Sequence, residues 1–576
     1  MKLKKVVSLT TVAAMMLSMA ACGSKPAEGS TASSQATTKE SSAAASSEGT
    51  STAEETGSKA LQPFAETVTI NMGHGLNPNA AFAEGETLET SRFVQWIKED
   101  LNLEVKYDWV CSSTDFEQKM NLCIASNTLP DAMNVGQTQY LAMLKYDQLQ
   151  PITDVFEEYA SDQLKQYVRS GGDALMDAIS YNGEMYAIPA PNLTASGVNA
   201  MWIRQDWLDE LKLEVPKNMD EVFEVAKAFV EAKLGGDNTI GIVGPASGDQ
   251  LVARGQNRWG LDSIFGAYQS YPEYWLKDDS GKVIYGSVQP ETKEALAKLA
   301  EMYAAGVIDP EVFVRSDSQE PVLAGRVGIF FGPWWCGYTI GDMALAGSAD
   351  WQCYLSPVAA DGKFYSPMSD PTTQYVCVRK GYEHPEAAVQ LINYLCANEQ
   401  QWVIDGKVPE RNTSDLYPLF NVYDNADEIE YSYEQLKKFN AGEVAKDAVD
   451  ITGRKLLKGD LDAIEVLKLD PKDDFSIEYW DYKNEIAAGN LPRLVSIMIG
   501  ARPLMEDGYE PIYNIYSGQT ETMASKWANL EKLEEETFAK IILGQAPIDE
   551  FDNFVTKWYA EGGQEIIDEV AANVGE

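Results

Sequence analysis

Between residues 68 and 135 the chain switches repeatedly between two hydrophobic periods, and few folds accommodate that. Val68-Thr-Ile-Asn-Met72 reads as a strand, and Arg92 to Leu101 as a helix with Phe93, Trp96 and Ile97 on one face. Leu103 to Trp109 alternates strictly, which predicts a second strand. Asp115 to Ala125 is helical, Asn127-Thr-Leu-Pro130 breaks it, and Asp131 to Val135 starts a third strand. Strands that alternate with helices pair in parallel and bury both faces of their sheet, so an α/β lobe is expected here. Ligands of such sheets lie at the carboxyl ends of the strands, in loops like Gly73-His74-Gly75 and Gly136-Gln137-Thr138. No third glycine follows Gly73-His74-Gly75 at dinucleotide spacing, so it is read as a tight turn.

The start of the chain has a different character. Lys2, Lys4 and Lys5 precede an apolar run from Val6 to Ala20, and Met19-Ala20-Ala21-Cys22 places small residues before a cysteine. A run of 15 residues is too short to span about 30 Å of hydrocarbon, so residues 1–22 read as a signal peptide. Gly23 to Ala60 contains no Val, Ile, Leu, Met, Cys or aromatic residue. It cannot bury enough apolar surface to offset its ordering entropy, and is expected to be a disordered tether reaching about 35 Å.

The body from residue 61 onward exceeds what one core supports, so two or more lobes are expected. No later segment offers eighteen uninterrupted apolar residues. A formal net charge of −42 repels nucleic acid and favours solubility, without identifying a ligand. Apart from Cys22 there are six cysteines, at 111, 123, 336, 353, 377 and 396, and none forms a CxxC pair. Buried thiols and disulfides both remain open. With His74 and His384 as the sole histidines, zinc sites and histidine-based nucleophilic triads are nearly excluded. His384, ahead of Pro385-Glu386 and an apolar-periodic run, is placed at the N-terminal edge of a helix.

The most specific segment is Trp202-Ile-Arg-Gln-Asp-Trp-Leu-Asp-Glu-Leu-Lys-Leu-Glu-Val-Pro-Lys-Asn-Met-Asp-Glu221. Gln205 or Asp206 starts a short helix, Pro216 ends the connection, and Asn218 caps a helix carrying Val222, Phe223, Ala226 and Phe229. This segment resembles the extracellular solute-binding proteins of ABC importers, in particular the carbohydrate-binding lipoproteins of Gram-positive bacteria. Collinear matches include Ala125-Ser-Asn-Thr-Leu-Pro-Asp131, Gly183-Glu-Met-Tyr-Ala-Ile-Pro189, Gly306-Val-Ile-Asp-Pro-Glu311 and Ile548-Asp-Glu-Phe551. The resemblance implies a periplasmic-binding-protein-like α/β fold of the type II, maltose-binding-protein kind, with two α/β lobes joined by a multi-strand hinge. Crossings are expected near residues 190, 365 and 420. That gives one lobe of residues 61–190 and 365–420, and another of 191–364 and 421–576.

The resemblance also implies a role: a monomeric, non-enzymatic receptor that takes no cofactor and delivers a carbohydrate to ABC permease subunits. Residues 19–22 resemble a lipobox, although Met19 stands where leucine is more usual. This implies that Cys22 becomes the lipid-modified N-terminus on the outer face of the cell membrane. Two stretches depart from the family pattern. Lys233-Leu-Gly-Gly-Asp-Asn-Thr239 lacks the oxygen ligands of the calcium loop found in many relatives, so no calcium is expected there. Residues 401–480 fit poorly, and their role is open.

Sugars present apolar C–H faces rimmed by hydroxyls, so their sites need aromatic platforms and hydrogen-bonding side chains in a cleft. Gly332-Pro-Trp-Trp335, after the strand Val327-Gly-Ile-Phe-Phe331, is similar to the Gly-Pro-Trp turn of maltose-type binding proteins, which makes Trp334 the first candidate platform. Trp335 is a second, although adjacent side chains diverge and the two cannot lie flat on one ring. Trp202 and Arg204, after the presumed first crossing, are candidates for stacking and for bidentate donation. Trp259 stands in a Gly-rich stretch beside Asn257 and Arg258, where loops carry function. Tyr186, Asn192, Asp370 and Gln137 are chosen for their places beside crossings or strand ends. Core packing is the competing reading for each aromatic, and Trp207 and Trp275 are assigned to the core outright. Four arginines, at 204, 254, 258 and 326, could serve a uronate ligand. A secreted glycoside hydrolase remains as a rival reading, since 88 acidic residues offer no way to nominate a carboxylate pair. A receptor for a non-sugar solute is the third.

Overall fold

The computed structural model describes residues 59–574 apart from 81, 253–257, 346–347, 406, 408–413, 420–423, 453, 455 and 468–484. The signal peptide, Cys22 and nearly all of the expected tether therefore lie outside the described residues. The tether's last two residues do not. Lys59–Leu61 form a short 3-10 turn whose carbonyls at Lys59 and Ala60 accept hydrogen bonds from Gln390 and Asn393.

The first sheet has five strands in the order β2-β1-β3-β9-β4, comprising β1 (Val68–Leu76), β2 (Leu103–Ser112), β3 (Ala132–Val135), β4 (Ala187–Pro191) and β9 (Thr372–Val378). β1 pairs in parallel with β2 and β3, and β9 runs antiparallel to both β3 and β4. The carboxyl ends of β1 to β4 and the start of β9 thus share one edge. Helix α1 (Arg92–Leu101) begins where the Ser91 hydroxyl accepts the Val94 N–H, and ends at Asn102 in the left-handed conformation. It buries Phe93, Val94, Ile97 and Leu101 against the sheet. α2 (Phe116–Ser126) and α3 (Gln137–Lys145) complete the expected alternation.

Gly73-His74-Gly75 is a correction: it is no turn but the last part of β1, beyond a register shift at Met72/Gly73. The indole of Trp109 lies over Gly73, so that a Cβ there would sit 2.1 Å from the ring. Glycine is required for close approach, not for a bend.

The second sheet is β8-β5-β7-β6, comprising β5 (Ala200–Arg204), β6 (Ile240–Ile242), β7 (Val327–Gly332) and β8 (Trp351–Tyr354). β5 runs antiparallel to β7 and β8, and β7 is parallel to β6. Alternate residues of a strand face opposite sides. Met201, Ile203, Ile329 and Phe331 therefore join one core with α4 (Gln205–Leu211), α5 (Met219–Ala232) and the C-terminal helices. Trp202, Phe330, Trp351 and Cys353 join another. The second core is covered by α6 (Gly337–Leu345), α8 (Glu428–Ala441), α9 (Leu457–Leu467) and α10 (Glu485–Val495), the last continuing as a π-helical turn, Ser496–Ala501.

Much of the stretch that fits the family poorly, 401–480, is thus a helical cover on this lobe; residues 468–480 lie outside the described chain. α8 and α9 are held to α10 by Arg493, which donates to Asp460 and Glu428 in the interior. Burial pushes the Asp460 carboxyl up to about 6 even so. α7 (Glu386–Ile404) follows His384 and packs on the first sheet.

Buried side chains of the first lobe come from residues 68–190 and 375–419, and those of the second from 195–368 and 429–570. Segments 192–199 and 368–371 connect the two. Near the third expected crossing, Thr194 N–H donates to the Ala426 carbonyl, while 420–423 lie outside the described residues. The six described cysteines are free thiols, four of them buried. Among the described residues no helix is long and apolar enough to cross a membrane.

Candidate functional site

Strand direction decides which sequence candidates can meet. In the first lobe the shared sheet edge presents Gly73 to Leu76, the end of β2, and Gly136-Gln137 at the start of α3. In the second lobe the carboxyl ends of β6 and β7 present Val243-Gly244 and the turn Gly332-Pro333-Trp334-Trp335. The crossings lie between these edges.

Three of the weaker candidates gather at the crossings. Asn192 Nδ2 donates to the Asp370 carbonyl oxygen at 2.8 Å, and the Asp370 carboxylate accepts from Ser517 Oγ at 3.0 Å. The Gln137 side chain lies beside the Tyr375 hydroxyl, and Tyr375 stacks on Tyr140 at 4.6 Å. Gln137 Oε1 and Tyr140 Oη are buried with no hydrogen-bond partner in the protein, while the Tyr375 hydroxyl has the Gln137 side chain beside it. Burial raises the pKa of both tyrosines, so their hydroxyls stay protonated and able to donate. Buried polar atoms of this kind are paired in proteins by other side chains, by ordered water or by a bound ligand. Tyr186 stands apart, before the opposite end of β4, with its ring against Tyr181.

At the far side of the first-lobe edge, His74 is buried and its Nε2 donates to the Asp415 carbonyl at 3.2 Å. Burial lowers its pKa, which favours the neutral ring. It lines a cavity of about 210 Å³ with Phe116, Asn134 and Leu419.

The second lobe contributes the aromatic turn. Trp334 is 5% exposed, and its Nε1 donates to Ser196 Oγ in the first crossing at 3.1 Å. Its ring therefore presents little more than an edge. Trp335 is half-buried, with the Arg258 guanidinium 5.7 Å from its ring centre, and Arg258 donates to Thr339 Oγ1. Tyr338, one helical turn after Trp334, is 43% exposed and 6.4 Å from it. The turn is pinned from behind by the π-helical segment: a Cβ on Gly500 would lie 2.5 Å from the Trp334 carbonyl and 2.8 Å from the Trp202 ring.

Trp202 and Arg204 are corrections. Trp202 is fully buried, lies parallel to Phe330 at 5.9 Å, and donates from Nε1 to the Gly332 carbonyl. It props the turn and offers no face to a ligand. Arg204 closes the other end of β5, about 13 Å along the strand from Ala200. It is 5% exposed, donates to both Asp206 carboxylate oxygens, and lies over Trp207. Trp259 is 5% exposed and holds φ +75°, with its N–H on the Phe331 carbonyl and its ring edge-on to Phe330. A bulky residue in that conformation is strained, and persists because these contacts fix it. Arg254 and Asn257 lie outside the described residues. Arg326 precedes β7, at the sheet's far end, and pairs with Glu320.

Residues that sequence reasoning did not nominate complete the region. In α8 the Glu430 side chain faces the Ala195 backbone N–H, one residue before the partner of Trp334. Its Oε2 is buried without a hydrogen-bond partner, and burial pushes its carboxyl up to about 7. Asn425, fully buried just before α8, has neither amide atom paired. Tyr509 and Tyr513 lie close to Glu430. Periodicity could have given the helix, but nothing local to 424–430 signals that it lies against residue 195.

Among the described residues no group of three or more His, Cys, Asp or Glu side chains is placed to hold a metal ion. In the 233–239 loop Lys233 is paired with Asp237.

Two α/β lobes linked by crossing segments, with aromatic and unpaired polar groups on the facing edges, define a binding protein of the periplasmic type. Residues 84–402, more than half of the chain, match the profile of bacterial extracellular solute-binding proteins, and the chain belongs to that family. It is 26% identical over 249 residues to the polygalacturonan/rhamnogalacturonan-binding protein YtcQ of Bacillus subtilis, covering 42% of this chain and 46% of that one. It is 27% identical over 247 residues to the fructooligosaccharide ABC transporter substrate-binding protein FusA of Streptococcus pneumoniae, covering 39% and 44%. The matches thus span about half the length of these relatives. An HMO-binding, ABC-transporter-associated solute-binding protein of Bifidobacterium longum infantis shares the fold with TM-score 0.55 at 14% identity, over 88% of this chain and 98% of that one.

Proposed function

We propose that this chain is a lipid-anchored receptor on the outer face of the cell membrane, which captures an oligosaccharide between its lobes and passes it to an ABC import permease. The lobes are residues 61–190 with 365–420, and 191–364 with 421–576. The observation that carries this reading is two lobes joined by crossing segments, with the polar groups Gln137, Tyr375, Asn192 and Asp370 beside the crossings and the Trp334 turn hydrogen-bonded to Ser196 in the first of them. Ligand hydroxyls would supply the partners that the buried oxygens lack, and the aromatic edges would cover the apolar sugar faces. A ligand touching both lobes favours the conformation in which the lobes approach, and that population shift is what a permease can read. The chain takes no cofactor and performs no bond chemistry. The carbohydrate-binding relatives support the ligand class, and the lipobox-like Met19-Ala-Ala-Cys22 supports the anchor.

Calorimetric titration of the purified protein with a panel of neutral and uronic oligosaccharides, with product analysis of each mixture, tests the reading. Saturable binding of intact ligand is expected, weakened about tenfold or more by Trp334→Ala, a loss of at least about 1.4 kcal/mol. Cleaved product would establish a glycoside hydrolase instead, and absence of binding across the panel would point to a non-sugar solute.

A further inference from the structure

Successive residues of the first crossing, Ala195 and Ser196, meet Glu430 and Trp334 respectively, so carboxyl and indole converge on one short segment. Glu430 Oε2 is buried and unpartnered. The charged side chains that act on it, Asp427 and Glu428, carry its own sign and are engaged by Arg454 and Arg493 respectively. The other titratable groups around it are the hydroxyls of Tyr509 and Tyr513.

Among the described residues, the arginines around these edges are engaged with other groups. Arg204 and Arg326 hold Asp206 and Glu320 at the far end of the sheet. Arg258 is drawn to Thr339 and to the rings of Trp259 and Trp335. Arg454 lies on the Tyr431 ring, 3.7 Å from its centre, and reaches Asp427.

A buried carboxyl with a free oxygen and no cation is a good acceptor for a sugar hydroxyl and a poor neighbour for another carboxylate, since like charges at close quarters cost several kcal/mol. We propose that Glu430 is a specificity-determining residue that accepts a ligand hydroxyl at the hinge and selects neutral oligosaccharides against uronic ones. The proposal rests on the reading of the chain as a saccharide receptor and adds the class of saccharide. It separates this protein from a relative named for binding polygalacturonan.

The test is calorimetry on the full-length protein at pH 8, where burial no longer keeps Glu430 neutral, with three sets of ligands. These are neutral oligosaccharides, oligouronates of equal length, and the same oligouronates with every carboxyl methyl-esterified. The neutral set is expected to bind at least about tenfold more tightly than the free acids. Esterification, which removes charge and keeps the skeleton, should recover part of that difference. Glu430→Gln, which keeps the shape and removes the charge, should narrow the neutral-to-uronic ratio at least about threefold. Free acids binding as well as the neutral set would overturn the proposal, as would a ratio unchanged in a folded Glu430→Gln variant. Should that variant fail to fold, the ester arm on the wild-type protein decides alone. No binding in any arm would overturn the saccharide reading itself, and this proposal with it.

Discussion

At the scale of single residues, aromatic identity was a weaker guide than strand direction. The position of Trp334 was legible because its Gly-Pro-Trp context marks the turn after a strand. Trp202 and Arg204 share one β-strand with cleft-side Ala200, and no local signal says which end of that strand faces the ligand. Only the antiparallel pairing of β5 with β7 settles it, and it sends Arg204 to the wrong end.

Glu430 was invisible because what marks it is a single buried carboxyl oxygen without a partner. Its stability cost has a definite sign. A carboxyl raised from 4.5 to about 7 binds its proton more tightly in the folded chain than in the unfolded one. The resulting stabilisation is complete below pH 4.5 and is lost as pH rises through 7, leaving a penalty of at most about 3 kcal/mol at pH 8. Glu430→Gln should therefore raise the melting temperature at pH 8 and leave it unchanged at pH 4. Equal shifts at both values would contradict the assignment.

At the scale of elements, the alternation between residues 68 and 135 was read nearly to the residue. α1 runs over Arg92–Leu101 and β2 opens at Leu103, as the periods require. The cap at Asn218 was equally plain. Residues 73–75 were misjudged because two glycines signal a turn unless a distant ring demands them, and Trp109 is such a ring. The cover of α8, α9 and α10 was the least legible, since its helices are joined by buried charge as well as by apolar periodicity. Arg493 sits between Asp460 and Glu428, both nearly inaccessible to solvent. Arg493→Met would strand two carboxylates, and the expected loss is about 3–5 kcal/mol in urea unfolding. A loss under about 1 kcal/mol would show that the cover is held by packing alone.

At the scale of the whole molecule, the sequence carried the architecture because two lobes of alternating strands and helices have few ways to bury their faces. It carried the proposed site only in part. Of its residues, 137, 334 and 370 stood out by their places at a strand end, a turn and a crossing, while 196 and 430 gave no local sign.

The central claim is that the two facing edges form one saccharide site across the crossings. A crystal structure of the protein with a bound oligosaccharide tests it most directly. The account predicts sugar hydroxyls on Gln137, Asp370 and Glu430, and a sugar face against Trp335 or Tyr338. A sugar seated elsewhere, for instance in the cavity of about 340 Å³ lined by Leu251, Phe313 and Phe538 on the second lobe, would contradict it.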